Sequence, residues 1–88
     1  MPASSELTIE LPPDVPLHAR PAGVLVRQAM AFESTITIAC GDREANAKSM
    51  LAVLGLGAEG GSTVRVRADG PDSERAVVAL EGCLRALR

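Results

Sequence analysis

Apolar side chains recur along this chain at two spacings, one typical of strands and the other typical of helices. Apolar residues at every second position predict half-buried strands over residues 6–11, 34–40 and 63–68, and a short return strand follows the turn at Gly41-Asp42 over residues 43–47. In the strand over 34–40, Ile36, Ile38 and Cys40 should face inward, while Ala39 should face outward with its threonine neighbours.

Apolar residues at helical spacing predict two helices, and capping signals predict a short third helix between them. The first covers residues 20–32, and the last covers residues 73–87 with Asp72 as its capping residue. Ser49 is a natural N-cap for a short second helix, which the glycines at 55 and 57 end within two turns.

The element order is therefore β-α-β-β-α-β-α. Because every strand has one apolar and one polar face, the sheet should be covered on one side only. We expect an α+β, two-layer, open-faced sandwich with its helices on one face, built as a single domain over residues 1–88. The pairing order of the strands does not follow from this pattern.

Composition excludes several classes of protein. A net charge of −2 argues against binding to a nucleic-acid backbone, and no segment is long and apolar enough to insert in a membrane. The first residues do not resemble a signal peptide, so a cytoplasmic location is expected. Cys40 and Cys83 lack the spacing of a metal site, and we interpret both as small buried hydrophobic residues.

The only histidine of the chain lies where the first helix is predicted to begin. His18 is followed by Ala19, Arg20 and Pro21, and proline is tolerated in a first turn because the amides there have no internal acceptor. The positive end of the helix dipole and the free backbone amides of Ala19 and Arg20 would favour a phosphate on a neutral imidazole. The guanidinium of Arg20 could bind that phosphate as a planar fork.

The sequence offers little machinery for activating a phosphoryl group. It has no nucleotide-binding loop, no paired carboxylate motif and no nucleophile elbow. A place to hold a phosphoryl group without a means of activating it indicates a carrier whose catalysis is supplied by other proteins, and no cofactor or metal is expected.

Two motifs resemble those of HPr, the histidine phosphocarrier family of the bacterial phosphoenolpyruvate-dependent sugar phosphotransferase system. Residues 17–22, Leu-His-Ala-Arg-Pro-Ala, are similar to the active-site signature of the family. Residues 47–51, Ala-Lys-Ser-Met-Leu, followed by Leu-Gly-Leu-Gly at 54–57, are similar to its second signature. The similarity runs from about residue 6 to residue 87.

The resemblance implies a fold, a reaction and a set of partners. The sheet should be antiparallel with strand order 1-4-2-3. His18 would accept a phosphoryl group on Nδ1 from phosphorylated enzyme I and pass it to a histidine of a sugar-specific enzyme IIA, while Arg20 steadies the phosphate. The surface that docks these partners would be formed by Ala22, Met50, Leu51 and Leu54, with Met50 the more exposed and Leu54 the one nearer to core packing. We expect a monomer.

Two further features follow from the resemblance. Ser49 matches the serine that a dedicated kinase phosphorylates in many members, so a serine kinase or phosphorylase is a further candidate partner. The loop before His18 departs from the family, because it is Pro-Pro-Asp-Val-Pro at 12–16 with Pro16 in place of a glycine. This loop should change how the imidazole is supported, and Asp14 is expected to point away from it.

Two alternative functions stay open at this point. The same chemistry could serve a nitrogen-related regulatory branch, although the motif at 48–50 favours the carbon branch. The first six elements also match the ferredoxin-like pattern of small ligand-sensing modules, a function that would not need the sequence around His18.

Overall fold

Within the described residues, four strands form one antiparallel sheet that three helices cover. The structure is a computed structural model that describes residues 4–13 and 19–86. The strands are β1 (Ser4–Glu10), β2 (Thr35–Cys40), β3 (Arg43–Asn46) and β4 (Thr63–Asp69). The helices are α1 (Ala19–Met30), α2 (Met50–Gly55) and α3 (Ser73–Arg85). The predicted order of elements is confirmed, and the predicted position of Leu87 in the last helix lies outside the described residues.

The strands are arranged in the order β1-β4-β2-β3, as the family resemblance implied. Central β4 pairs on one side with β1, where Val64 lies opposite Ile9, and on the other with β2, where Val66 lies opposite Ile38. These pairings place the apolar residues of distant strands on a single face of the sheet.

The core lies between that face and the three helices. Its fully buried large side chains come from β2, β4 and the loop after β1 on the sheet side, and from all three helices on the other: Leu11, Leu25, Ile36, Ile38, Val53, Val64, Val66, Leu80 and Leu84. The opposite face carries exposed charged residues, among them Arg65 and Arg67 of β4. The α+β open-faced sandwich is therefore confirmed.

The prediction for one face of β2 needs a correction. Ala39 lies on the outer face as expected, yet it is only 6% exposed. Its partners across the ladder are Arg65 on β4 and Glu44 on β3, whose long side chains cover the small methyl group.

Cys40 and Cys83 are half-buried against the core and unpaired, so neither is as fully enclosed as predicted.

Asp72 was predicted to cap α3 with its side chain, and this is wrong. The residue occupies the N-cap position, but its carboxylate makes no capping hydrogen bond. It accepts instead from the backbone amides of Glu33 and Ser34, at 2.9 and 3.0 Å, and from the Ser34 hydroxyl. The aspartate therefore joins the start of α3 to the turn between α1 and β2.

These hydrogen bonds change the acidity of Asp72. The Ser34 hydroxyl and the Glu33 amide stabilise the carboxylate and lower its pKa from 3.8 to about 2. Gly70 lies close by with φ +150°, and a Cβ atom there would stand 2.7 Å from Ser34 Oγ and 2.8 Å from Ser34 Cα. Only glycine allows the two turns to approach this closely.

Candidate functional site

Helix α1 begins at Ala19, so His18 is the residue immediately before its first turn. His18 itself, with the loop residues 14–17, lies outside the described residues. The amides of Ala19 and Arg20 have no carbonyl one turn back within the helix, and Pro21 has no amide hydrogen. The first turn also contains no acidic side chain. The start of α1 therefore keeps the positive potential of a helix N-terminus.

Arg20 is exposed at this helix start. Its side chain lines a groove between α1 and α3, and within residues 4–13 and 19–86 it makes no hydrogen bond or ion pair. A guanidinium exposed at a helix start is of the type that binds anions.

The second sequence motif lies beside the first turns of α1. Helix α2 packs against α1, and Met50 Cε is 3.9 Å from the position that a Cβ atom would take on Gly23. Gly23 is one turn from Ala19, so the start of α2 lies next to the helix end that His18 precedes. The structure thus brings together two motifs that are about thirty residues apart in sequence.

Three residues of α2 were predicted to dock partners, and their exposure differs from the expectation. Leu51 is 83% exposed and Leu54 is 36% exposed, whereas Met50 is half-buried against the core. The predicted order of Met50 and Leu54 is therefore wrong, because the start of α2 turns Met50 toward α1. We call Met50, Leu51 and Leu54 the α2 patch.

Ala22 cannot belong to an exposed docking surface. Its side chain is completely buried, in the apolar stripe that α1 turns toward the core. The prediction that Ala22 contacts partners is wrong for this reason, since one side chain cannot serve the core and the surface together.

Ser49 is the N-cap of α2, as predicted. Its backbone is extended, and its Oγ accepts a hydrogen bond from the Ala52 amide at 3.3 Å. The residue is half-exposed and immediately precedes Met50 and Leu51. Any group added to this hydroxyl would therefore lie at the edge of the α2 patch.

Two basic residues that hold α2 in place were not identified from the sequence. Lys48 Nζ donates to the carbonyl oxygen of Phe32 at 2.7 Å, which ties the segment before α2 to the end of α1. Arg43 of β3 donates to the carbonyl oxygen of Gly55 at 3.1 Å, at the other end of α2. Neither contact has a sequence signal, because each acceptor is a backbone carbonyl more than ten residues away.

The described part of the chain has no sign of a metal site or a membrane-spanning segment. Among residues 4–13 and 19–86, no cluster of three or more histidine, cysteine or acidic side chains is arranged to hold a metal ion. Within the same ranges, no helix has both the length and the apolar character needed to cross a bilayer.

Comparison with known proteins defines the class. The family model of the HPr component phosphorylation site of the phosphotransferase system matches residues 4–86. The phosphocarrier protein HPr of Streptomyces coelicolor is 49% identical over 65 residues, which cover 73% of this chain and 70% of that protein. The HPr of Haloferax volcanii is 41% identical over 81 residues, which cover 90% and 91%.

A solved structure of an HPr protein also matches this fold. The crystal structure of HPr-C-His from Thermoanaerobacter tengcongensis superposes with a TM-score of 0.87, at 38% identity, over 91% of this chain and 90% of that one. The fold and the site thus define a phosphocarrier. The chain belongs to the HPr family of the phosphotransferase system.

Proposed function

We propose that this protein accepts a phosphoryl group on Nδ1 of His18 from phosphorylated enzyme I. It then passes the group to a histidine of a sugar-specific enzyme IIA. The observation that supports this most directly is the start of α1 at Ala19, because the only histidine of the chain precedes this residue in sequence and the first two amides of the helix have no acceptor within it.

The chemistry requires an unprotonated ring nitrogen. A helix N-terminus such as the start of α1 carries a positive potential, which disfavours a further positive charge on a group beside it. In the first transfer the bond from phosphorus to the donor breaks as a bond to Nδ1 forms. In the second transfer that bond breaks as phosphorus bonds to the enzyme IIA histidine.

Arg20 steadies the phosphoryl group between the two transfers. Its exposed guanidinium can bind two phosphate oxygens at once, and the amides of Ala19 and Arg20 can donate to the same group. The chain has no second histidine to act as a proton donor or acceptor. Catalysis is therefore left to the partner enzymes, and the protein acts as a carrier.

The α2 patch docks both partners in turn. Leu51 exposes most of its side chain and follows Met50, which packs beside Gly23 near the start of α1, and Leu54 adds a smaller apolar surface. Burial of such side chains in a protein interface gives affinity, while the charged groups around them fix orientation. The acceptor that reacts fastest, a sugar-specific or a nitrogen-related enzyme IIA, distinguishes the two branches.

The central test is phosphorylation in vitro. The full chain is incubated with phosphoenolpyruvate and enzyme I, and the acid-labile phosphate is located by mass spectrometry. We expect one phosphoryl group on His18 that is absent from His18→Ala, whose fold is checked by its thermal transition. An acid-stable phosphate, or phosphorylation that persists in His18→Ala, contradicts the proposal.

Arg20 can be tested against a matched control. Arg20→Gln should slow the transfer from enzyme I about 10- to 100-fold, because a hydrogen bond to a charged group is lost. Arg27→Gln removes an exposed arginine from the last turn of the same helix and should leave the rate within about twofold. Equal losses in the two variants contradict a local role for Arg20.

We also propose that phosphorylation of Ser49 by a serine kinase inhibits the carrier. A phosphate adds between one and two negative charges at the edge of the α2 patch, where it would repel an acidic partner surface. Since an N-cap tolerates a negative group, inhibition need not involve unfolding of α2.

Two substitutions separate charge from capping at this position. Ser49→Asp and Ser49→Asn both keep a side chain that can cap α2, but only the first adds a charge. Enzyme I should phosphorylate His18 more slowly in Ser49→Asp than in Ser49→Asn. Equal rates for the two variants count against charge-based inhibition.

A further inference from the structure

A groove of about 400 Å³ runs between α1 and α3. Its volume lies in the range of sites that bind small molecules. Side chains spaced one helical turn apart form each wall, with Arg20, Val24 and Gln28 on α1, and Ala79 and Cys83 on α3 followed by Ala86 at its C-cap.

The middle of the groove is apolar. Val24, Ala79 and Cys83 are each half-buried, and burial raises the pKa of the Cys83 thiol, which stays uncharged. The two alanines of α3 are too small to fill the space against α1. The groove therefore suits the hydrocarbon part of a ligand.

The two polar residues lie at opposite ends of the α1 wall. Arg20 and Gln28 are eight residues apart, which corresponds to about 12 Å along the helix. Arg20 is the only charged residue among the described side chains that line the groove. Glu81 of α3 is paired with Arg85 at 3.2 Å and does not line it. An occupant should therefore carry its negative charge at the Arg20 end.

We propose that this groove binds a small amphipathic carboxylate of the medium-chain fatty-acid class. The carboxylate pairs with Arg20, and the alkyl chain lies along Val24 and Cys83 toward Gln28. Because the proposed function also assigns Arg20 to the phosphoryl group on His18, the bound carboxylate competes for the same guanidinium and slows phosphoryl transfer.

Binding is measured without reference to phosphorylation. Octanoate is titrated into the full 15N-labelled chain, and saturable shifts are expected at the amides of Val24, Gln28, Ala79 and Cys83. Octanol matches the alkyl chain and acetate matches the charge, and each should bind at least about tenfold more weakly. Equal affinity for octanol, or shifts confined to the α2 patch, overturns the proposal. Broadening of the groove amide resonances that depends on protein concentration alone indicates that a second copy of the chain occupies the groove. This result also overturns the proposal.

Two substitutions on α3 test the location. Ala79→Leu fills the groove and should reduce octanoate affinity at least tenfold, while Val78→Leu enlarges a neighbour that is 59% exposed and should leave it unchanged. Thermal transitions of both variants check the fold. Unchanged affinity in a folded Ala79→Leu contradicts the assigned site.

The competition is measured in a separate experiment. Saturating octanoate should slow enzyme I transfer to wild type at least about fivefold and have little effect on Ala79→Leu. Octanoate that fills the groove without slowing the transfer shows that its carboxylate does not hold Arg20, which overturns the proposal. If the chain accepts no phosphoryl group at all, the proposed function fails while the titration still decides whether the groove binds the carboxylate.

Discussion

The two ends of α1 are built in opposite ways. At the C-terminal end, the backbone amides of Glu33 and Ser34 and the Ser34 hydroxyl all donate to Asp72, and Lys48 donates to the Phe32 carbonyl. At the N-terminal end, Arg20 is exposed and has no partner among residues 4–13 and 19–86.

This difference separates folding from function along a single helix. Polar groups that are satisfied inside the protein stabilise the fold but cannot bind anything else. Groups left open contribute little to stability and can pair with a phosphoryl group or another protein. We call the C-terminal end of α1, with its satisfied polar groups, the closed end, and the N-terminal end the open end. Substitutions at the closed end should therefore change stability, and substitutions near the open end should change transfer or binding.

The largest effect is expected where the closed end is packed most tightly. Gly70→Ala places a methyl group against Ser34 and forces a positive φ on alanine, which should cost about 3 kcal/mol of unfolding free energy. Urea denaturation measures it. Gly82→Ala, in α3 with open space around it, should instead gain about 0.5–1 kcal/mol. An unchanged unfolding free energy in Gly70→Ala would show that the two turns do not touch.

Asp72 makes the closed end sensitive to acid. Because its pKa falls from 3.8 in the unfolded chain to about 2 in the folded protein, its stabilisation is complete above about pH 4 and is lost as the pH falls toward 2. Asp72→Asn should be less stable than wild type at pH 7, and this difference in stability should narrow as the pH falls from about 4 toward 2. Denaturation midpoints of both proteins between pH 7 and pH 2 measure the difference.

The control for this prediction is another aspartate. Asp69→Asn removes only a surface ion pair with Arg67, at 3.2 Å, and should change the midpoint far less. A gap between wild type and Asp72→Asn that stays constant down to pH 2 is the result that would rule out the carboxylate as its source.

The open side should show the reverse behaviour. Leu51→Ser should keep the unfolding free energy within about 0.5 kcal/mol, because the side chain is 83% exposed. Its affinity for enzyme I should fall about tenfold through lost apolar burial. Val78→Ser, on the exposed side of α3, should change neither quantity. Calorimetric titration with enzyme I compares the three proteins, and equal affinities would remove Leu51 from the docking surface.

The smallest effect is expected at the link between the closed end and α2. Lys48, the only lysine of the chain, loses its hydrogen bond to the Phe32 carbonyl in Lys48→Met, which should cost about 1 kcal/mol. Amide exchange in α2 should become several-fold faster, whereas exchange in α3 should follow only the global change. Arg75→Met, at an exposed position of α3, serves as control. Unchanged exchange in α2 contradicts the link.

The sequence predicted what depends on neighbouring residues. Periodic apolar positions located β1, β2, β4, α1 and α3, the turn at Gly41-Asp42 located β3, and Ser49 with the glycines that follow it located α2. The strand order came from the family resemblance, because pairing between β1 and β4 joins segments more than fifty residues apart.

Long-range contacts and short elements limited the rest. Asp72 has the sequence of a helix cap, and its actual partners are 38 and 39 residues away. Helix α2 has six residues, too few to define a buried stripe, so Met50 and Leu54 were ranked in the wrong order. Ala22 was assigned to the docking surface, and only the packed structure showed that its side chain is buried in the core.

The open face of the sheet has a practical consequence. Every described group assigned to phosphoryl transfer or docking lies in the helical layer, while Thr8 of β1 points into solvent on the other side. A fluorescent label or a surface tether attached at Thr8, after replacement of the two native cysteines, would leave the helices unobstructed. The protein could then be immobilised through the exposed face of its sheet while its phosphoryl exchange with enzymes is followed in real time.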